Sequence, residues 1–295
     1  MVLVSAFVFS GLLVTYCTQS VESESDADGV VNTDEILHDF QTVGLLHNTV
    51  MAEVLDDFKR HDNSLESRED YFDFMEKSLV THLASKDLVK GMSNSNIHIL
   101  VSEELDRTRY MRYEKPGTNK SDLQSTTAEL EDELSPQQLE ILHQIDDYVE
   151  NAPTTEDMIA SLEMVNNSPE VLELDYDDRW VIYAATSIGI ESAEYWSNNF
   201  EDWVDVLMED EGVDSEYQKF AGNDFLDTAN WFSGRSMINA DIAGGVAGAV
   251  GGCLGGMLLG GAGCVPGAAT GGLIGSASGS VGNAVSQILS LFSDD

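Results

Sequence analysis

The sequence predicts a mainly α protein: a helical body in two blocks, followed by a C-terminal glycine-zipper helical hairpin. Three observations carry that prediction. Apolar residues recur at three- and four-residue steps through most of the chain, the period of one helix face. Strand signals are sparse, with residues 97–101 the only short candidate. Glycine falls at every fourth position in two C-terminal runs, first Gly244, Gly248, Gly252, Gly256 and Gly260, then Gly267, Gly271, Gly275 and Gly279.

Composition bounds the function. The chain has 295 residues, with 53 acidic side chains against 14 basic ones and a formal charge of -39. A nucleic-acid partner is excluded on that balance, because phosphate backbones need Lys and Arg to neutralise them. Attraction to anionic lipid heads is disfavoured for the same reason. A charge of this size strains the folded state by self-repulsion, which salt screens.

Residues 1–17 form an apolar stretch that is short for a membrane span and has the size of a signal-peptide core. It ends on Cys17, with Leu13 and Val14 before it. That pattern resembles a bacterial lipoprotein signal, in which Cys17 would be the lipidated residue. The expected location is therefore outside the cytoplasm, in the cell envelope, membrane-associated or lipid-anchored.

Residues 18–33 are acidic. With Glu35 they place oxygen ligands at Glu24, Asp26, Asp28, Asn32 and Glu35, around a sharp turn at Gly29. A hard cation wants many oxygens, so this spacing resembles an EF-hand calcium loop. Calcium is the one cofactor the sequence suggests. The competing reading is an acidic spacer, favoured because Glu stands at the first ligand position and no helix precedes the loop.

The first helical block is expected over residues 34–105. Phe40, Val43, His47, Val50, Val54 and Phe58 share one helix face, with Ile36 ahead of them. His47 reads as a core histidine with a backbone or Asn partner, since no Cys or second His stands at metal spacing beside it. A second helix is expected over 67–84. Residues 106–134 read as a linker around Pro116-Gly117. Its cations Arg107, Arg109, Arg112, Lys115 and Lys120 are expected to pair with acidic faces of the same chain.

The second helical block spans 135–232. Ser135-Pro136-Gln137-Gln138 supplies an N-cap, a Pro at the first helical position and a capping-box Gln. Further helix starts are expected near Thr155 and Ser168-Pro169. A long helix over 178–197, with Trp180, Ala184, Ile188, Glu191 and Tyr195 on one side, should break and be followed by a short one.

The tail, residues 241–292, is the most informative segment. No charged residue occurs from Ile242 to Ser293. Glycine costs roughly 1 kcal/mol against alanine in a water-exposed helix. In lipid, small residues at four-residue spacing let helix backbones touch, and each arm has about the length that crosses a bilayer. Cys264-Val265-Pro266-Gly267 is expected to break the helix. Asp241 would stay on the aqueous side, and Cys253 and Cys264, at opposite ends of a straight rise of about 16 Å, should not pair within one chain. A membrane-inserting hairpin is the leading reading; a flexible tail and a hairpin packed in water are the alternatives.

No H-E-x-x-H, G-x-S-x-G, P-loop or dinucleotide fingerprint occurs, so no enzyme is expected. The combination of a signal ending in Cys17, the G-x-x-H-N of Gly44, His47 and Asn48, a helical SAEYW segment and a glycine-rich tail looks like a group of exported proteins of Bacteroidota-type bacteria. No activity comes with that resemblance. The tail alone is similar to glycine-zipper domains and to glycine-rich bacteriocin peptides, and Ala243–Gly245 resembles a double-glycine processing site. The expected function is a non-enzymatic exported envelope protein whose tail inserts into lipid or self-associates as a homo-oligomer. The alternatives are a bacteriocin-like toxin precursor and a calcium-responsive binding protein.

Overall fold

The computed structural model describes residues 33–61, 65, 67–113, 121–209, 226, 233–258 and 264–289. It is mainly helical, and no strand occurs among the described residues. The helices are α1 (Thr33–Arg60), α2 (Arg68–Ala84), α3 (Asn94–Tyr113), α4 (Asp122–Glu129), α5 (Pro136–Asn151), α6 (Thr155–Asn166), α7 (Pro169–Leu172), α8 (Tyr176–Glu209), α9 (Gly234–Leu258) and α10 (Cys264–Leu289). A short 3-10 turn, Asp87–Val89, links α2 to α3.

Local chemistry sets several helix starts. Ser67 caps α2 in a reciprocal box with Asp70, and Ser135 caps α5 in the same way with Gln138. Gln138 also donates to the Asp178 carbonyl at 2.8 Å, tying the α5 start to α8. Ser135→Ala removes one acceptor from the α5 N-terminus. It should cost about 1 kcal/mol in urea unfolding, with the helical content of the folded state unchanged.

Two sequence expectations are corrected. Residues 97–101 lie inside α3, where Ile97, Val101 and Leu105 are buried at helical spacing. A short β-branched run fits either period, and burial on one helix face decided it. The expected break after Ser197 is absent, and α8 runs on to Glu209. Asn198 and Asn199 turn their amides onto the carbonyls of Glu194 and Tyr195 at 2.7 and 2.8 Å instead of ending the helix. Their turn-forming preference loses to the burial of Trp196, Phe200, Trp203 and Leu207 along the same helix.

The hairpin of α9 and α10 lies at the centre. On one side, α1 and α8 pack on each other, α8 on both arms and α1 on α10. On the other, α3 covers α10 and α4 covers α9. Neither α3 nor α4 packs appreciably on α1 or α8, so the hairpin separates two layers. α2, which touches α1, α3 and α10, closes one edge, and α5, which touches α4, α8 and α9, closes the other. One continuous apolar core runs from Phe40 of α1 to Val285 of α10.

Candidate functional site

The two arms meet backbone to backbone. A Cβ on Gly248 would lie 2.1 Å from the Gly271 carbonyl oxygen, and one on Gly252 the same distance from that of Gly267. At Gly244 it would meet the Gly275 oxygen at 2.3 Å, and at Gly279 the Ala240 oxygen at 2.9 Å. The pairing is antiparallel, and no residue larger than glycine fits at the three central crossings. Gly256 continues the row, its Cα 3.4 Å from a Cβ placed on Gly267. Gly260 lies outside the described residues.

The tip differs from expectation. Cys253 and Cys264 form an intrachain disulfide, with their Cα atoms 4.0 Å apart. The expected separation assumed a helical rise between them, whereas Cys253 lies on α9 and Cys264 begins the antiparallel arm α10, which brings them face to face. Pro266 does not break a helix. It sits in the first turn of α10, where its missing N–H is one of the donors left without an intrahelical partner.

Asp241 is not on an aqueous face. It is fully buried, as is His47, and His47 Nε2 stands 3.6 Å from Asp241 Oδ2. Ser192 Oγ and Trp196 Nε1, both of α8, donate to the same oxygen at 2.5 and 3.0 Å. Ser280 faces the carboxylate from α10. The cluster thus joins α1, α8, α9 and α10. Burial pushes Asp241 up to about 7, against the hydrogen bonds of Ser192 and Trp196. Burial pushes His47 down to about 4, partly opposed by its bond to Asn48.

The G-x-x-H-N segment explains how α1 reaches this point. Gly44 lets α8 approach, since a Cβ there would lie 2.9 Å from the Ser187 carbonyl. Asn48 Oδ1 is 3.0 Å from His47 Nδ1, and its amide donates to the Glu191 carbonyl and carboxylate at 3.0 and 3.1 Å. Burial, and then the neighbouring Glu194, raise the Glu191 carboxyl above the usual range. Sequence reasoning found the histidine and its Asn partner but missed Asp241, Ser192 and Trp196. The available signal was complementary: a lone histidine on one apolar face and a lone acid at the edge of an uncharged run.

On the opposite layer, Glu104 and Arg107 of α3 form an ion pair over the base of the hairpin. Arg107 also donates to Thr126 of α4 at 2.8 Å. Burial opposes its charge, but Glu104, Asp122 and Glu129 more than offset that and raise its pKa. Glu104 Oε1 lies 3.2 Å from a Cβ placed on Gly244 and 3.4 Å from one on Gly279. Arg109 pairs with Glu69 at 2.7 Å and lies over the Phe72 ring. These two cations therefore pair with acids of the same chain, as expected.

Cys17 and the proposed calcium ligands Glu24, Asp26, Asp28 and Asn32 lie outside the described residues, and Glu35 is described only as part of the α1 backbone. No group of His, Cys, Asp and Glu among the described residues is placed to hold a metal. Glu53, Asp57 and His82 do cluster between α1 and α2, but Lys86 Nζ occupies that cluster, 2.5 Å from Glu53. Ala243 is fully buried and Gly244 and Gly245 are buried beside it in α9, so the double-glycine-like site is closed in this fold.

One described helix, over Gly234–Gly256, is long and apolar enough to cross a membrane, and 72% of its most apolar window is buried inside the molecule. Comparison of the chain with protein families, with curated proteins and with solved structures returns no match.

Proposed function

We propose that this is a non-enzymatic, exported envelope protein that stores a membrane-inserting hairpin inside an acidic helical body. One observation carries the reading: the hairpin, uncharged from Ile242 onward, closes on itself through its glycines while the rest of the molecule wraps it. α9 packs far more extensively on α10 than on any other element. Such a unit keeps its backbone hydrogen bonds and its closest contacts when it leaves the body, which is what a bilayer demands. In water the nine glycines are a cost, offset only where the arms touch. The shell's acidic residues keep the stored form soluble and direct it to uncharged rather than anionic lipid.

A tether tests the release step. A Cβ on Gly282 of α10 lies 3.3 Å from Thr108 Cβ of α3, close to the spacing of disulfide-linked Cβ atoms. The full chain should float with phosphatidylcholine vesicles. Thr108→Cys/Gly282→Cys should stay behind when oxidised and float after reduction, with the unaltered chain as control under both conditions. Flotation of the tethered form, or of neither form, would remove the membrane reading and leave a hairpin that serves as a soluble core.

A further inference from the structure

We propose that His47 and Asp241 form a one-proton latch that holds the hairpin in the body equally well in weakly acidic and in neutral solution. The inference concerns regulation and rests on the hairpin storage proposed above. Both groups are fully buried, 3.6 Å apart, on α1 and α9. Their bonded neighbours Ser192, Trp196 and Asn48 carry no charge. The titratable groups facing them from the surrounding elements are acids or paired. From α8 come Glu191, reached through Asn48, and Tyr195. From α4 comes Asp122. Glu104, paired with Arg107 on α3, and Glu150 of α5, near Arg235 and Asn239 of α9, lie on the other elements packed against the hairpin. The described part of α10 contains no charged residue. No Lys or Arg bonds to either member of the pair among the described residues.

That arrangement permits one favourable charge state. With two protons the site holds a buried cation, and with none a buried anion; each is costly without a partner. With one proton the pair is neutral overall, whichever member carries it. Burial moves the two groups in opposite directions, His47 from 6.5 down to about 4 and Asp241 from 3.8 up to about 7. The folded value of His47 lies below its unfolded value, so its contribution is complete above about 6.5 and is lost as pH falls toward 4. The folded value of Asp241 lies above its unfolded value, so its contribution is complete below 3.8 and is lost as pH rises toward 7. The two losses run in opposite directions through nearly the same window, and they offset.

The test is urea unfolding of the full chain from pH 4.5 to 7 for the unaltered protein, His47→Gln, Asp241→Asn and the double variant. Differences from the unaltered protein cancel the surface carboxylates common to all four. The His47→Gln folding constant, relative to the unaltered chain, should fall as pH rises. That of Asp241→Asn should fall as pH drops. Each change should reach roughly fifty- to a hundredfold across the range, and the double variant should track the unaltered chain. Parallel profiles, or slopes of the same sign, overturn the latch. If one single variant does not fold, the other and the double still give the opposite-slope comparison. His47 ring-nitrogen shifts in the unaltered chain add a direct readout: titration near 6.5 would also overturn it. Vesicle flotation of the same variants separates the two readings. Opposite slopes without flotation leave the latch and overturn the membrane role; flotation with parallel slopes does the reverse.

Discussion

Gly248→Ala should destabilise the folded chain by about 3 kcal/mol, although the same change in a free helix stabilises it by about 1 kcal/mol. The added Cβ would lie 2.1 Å from the Gly271 oxygen and 2.8 Å from its carbonyl carbon. Both atoms are backbone, so no rotamer change relieves the contact, and the arms must part by more than an ångström. Parting at this crossing also loosens the contacts of Gly244 with Gly275 and of Gly252 with Gly267 on either side. Gly255→Ala is the internal control, because nothing lies within 4 Å of a Cβ there. It should gain roughly 0.5–1 kcal/mol from helix propensity alone. Guanidinium unfolding of the two disulfide-intact variants measures the contrast. Equal stabilities would mean that the arms are not in backbone contact, and the storage of the hairpin as a closed unit would fall with it.

Arg107→Ala should cost about 3–5 kcal/mol, the range for removing one partner of a buried ion pair. It leaves the Glu104 carboxylate, 8% exposed, against the hairpin backbone without its cation. It also frees the Thr126 hydroxyl that joins α3 to α4. Glu104→Gln added to Arg107→Ala should recover much of the loss, since an uncharged amide is far cheaper to bury. Arg109→Ala gives the contrast on the same helix. Its pair with Glu69 is 39% and 68% exposed, so its removal should cost less than about 1 kcal/mol. If the two Arg variants unfold alike in urea, α3 does not seal the hairpin in the way these contacts require.

The two halves of the site were legible to different degrees. The four-residue glycine spacing and its antiparallel closure could be read directly, because periodicity is local and backbone contact demands small residues at that step. The same holds for the capping box at Ser135 and for the inward face of α1 from Phe40 to Phe58. The disulfide between Cys253 and Cys264 was hidden because its geometry depends on where the chain reverses. Cys264-Val265-Pro266 reads as a breaker, yet a helix start uses Pro just as well. Asp241 read as the polar boundary of an uncharged arm. Its burial depends on His47, Ser192 and Trp196 arriving from two other helices, which no local pattern announces.

The sequence by itself determined that the protein is helical, that its surface is strongly acidic and that its last two helices pair through glycine. Those properties follow from side-chain type and spacing along one element. Only the tertiary structure decided where the pair goes: between α1 and α8 on one side and α3 and α4 on the other, with one histidine and one aspartate sharing the dry junction. Enclosure is set by which faces find complementary partners far along the chain. A glycine-lined arm presents nearly the same pattern to lipid, to its twin arm and to the inside of its own body.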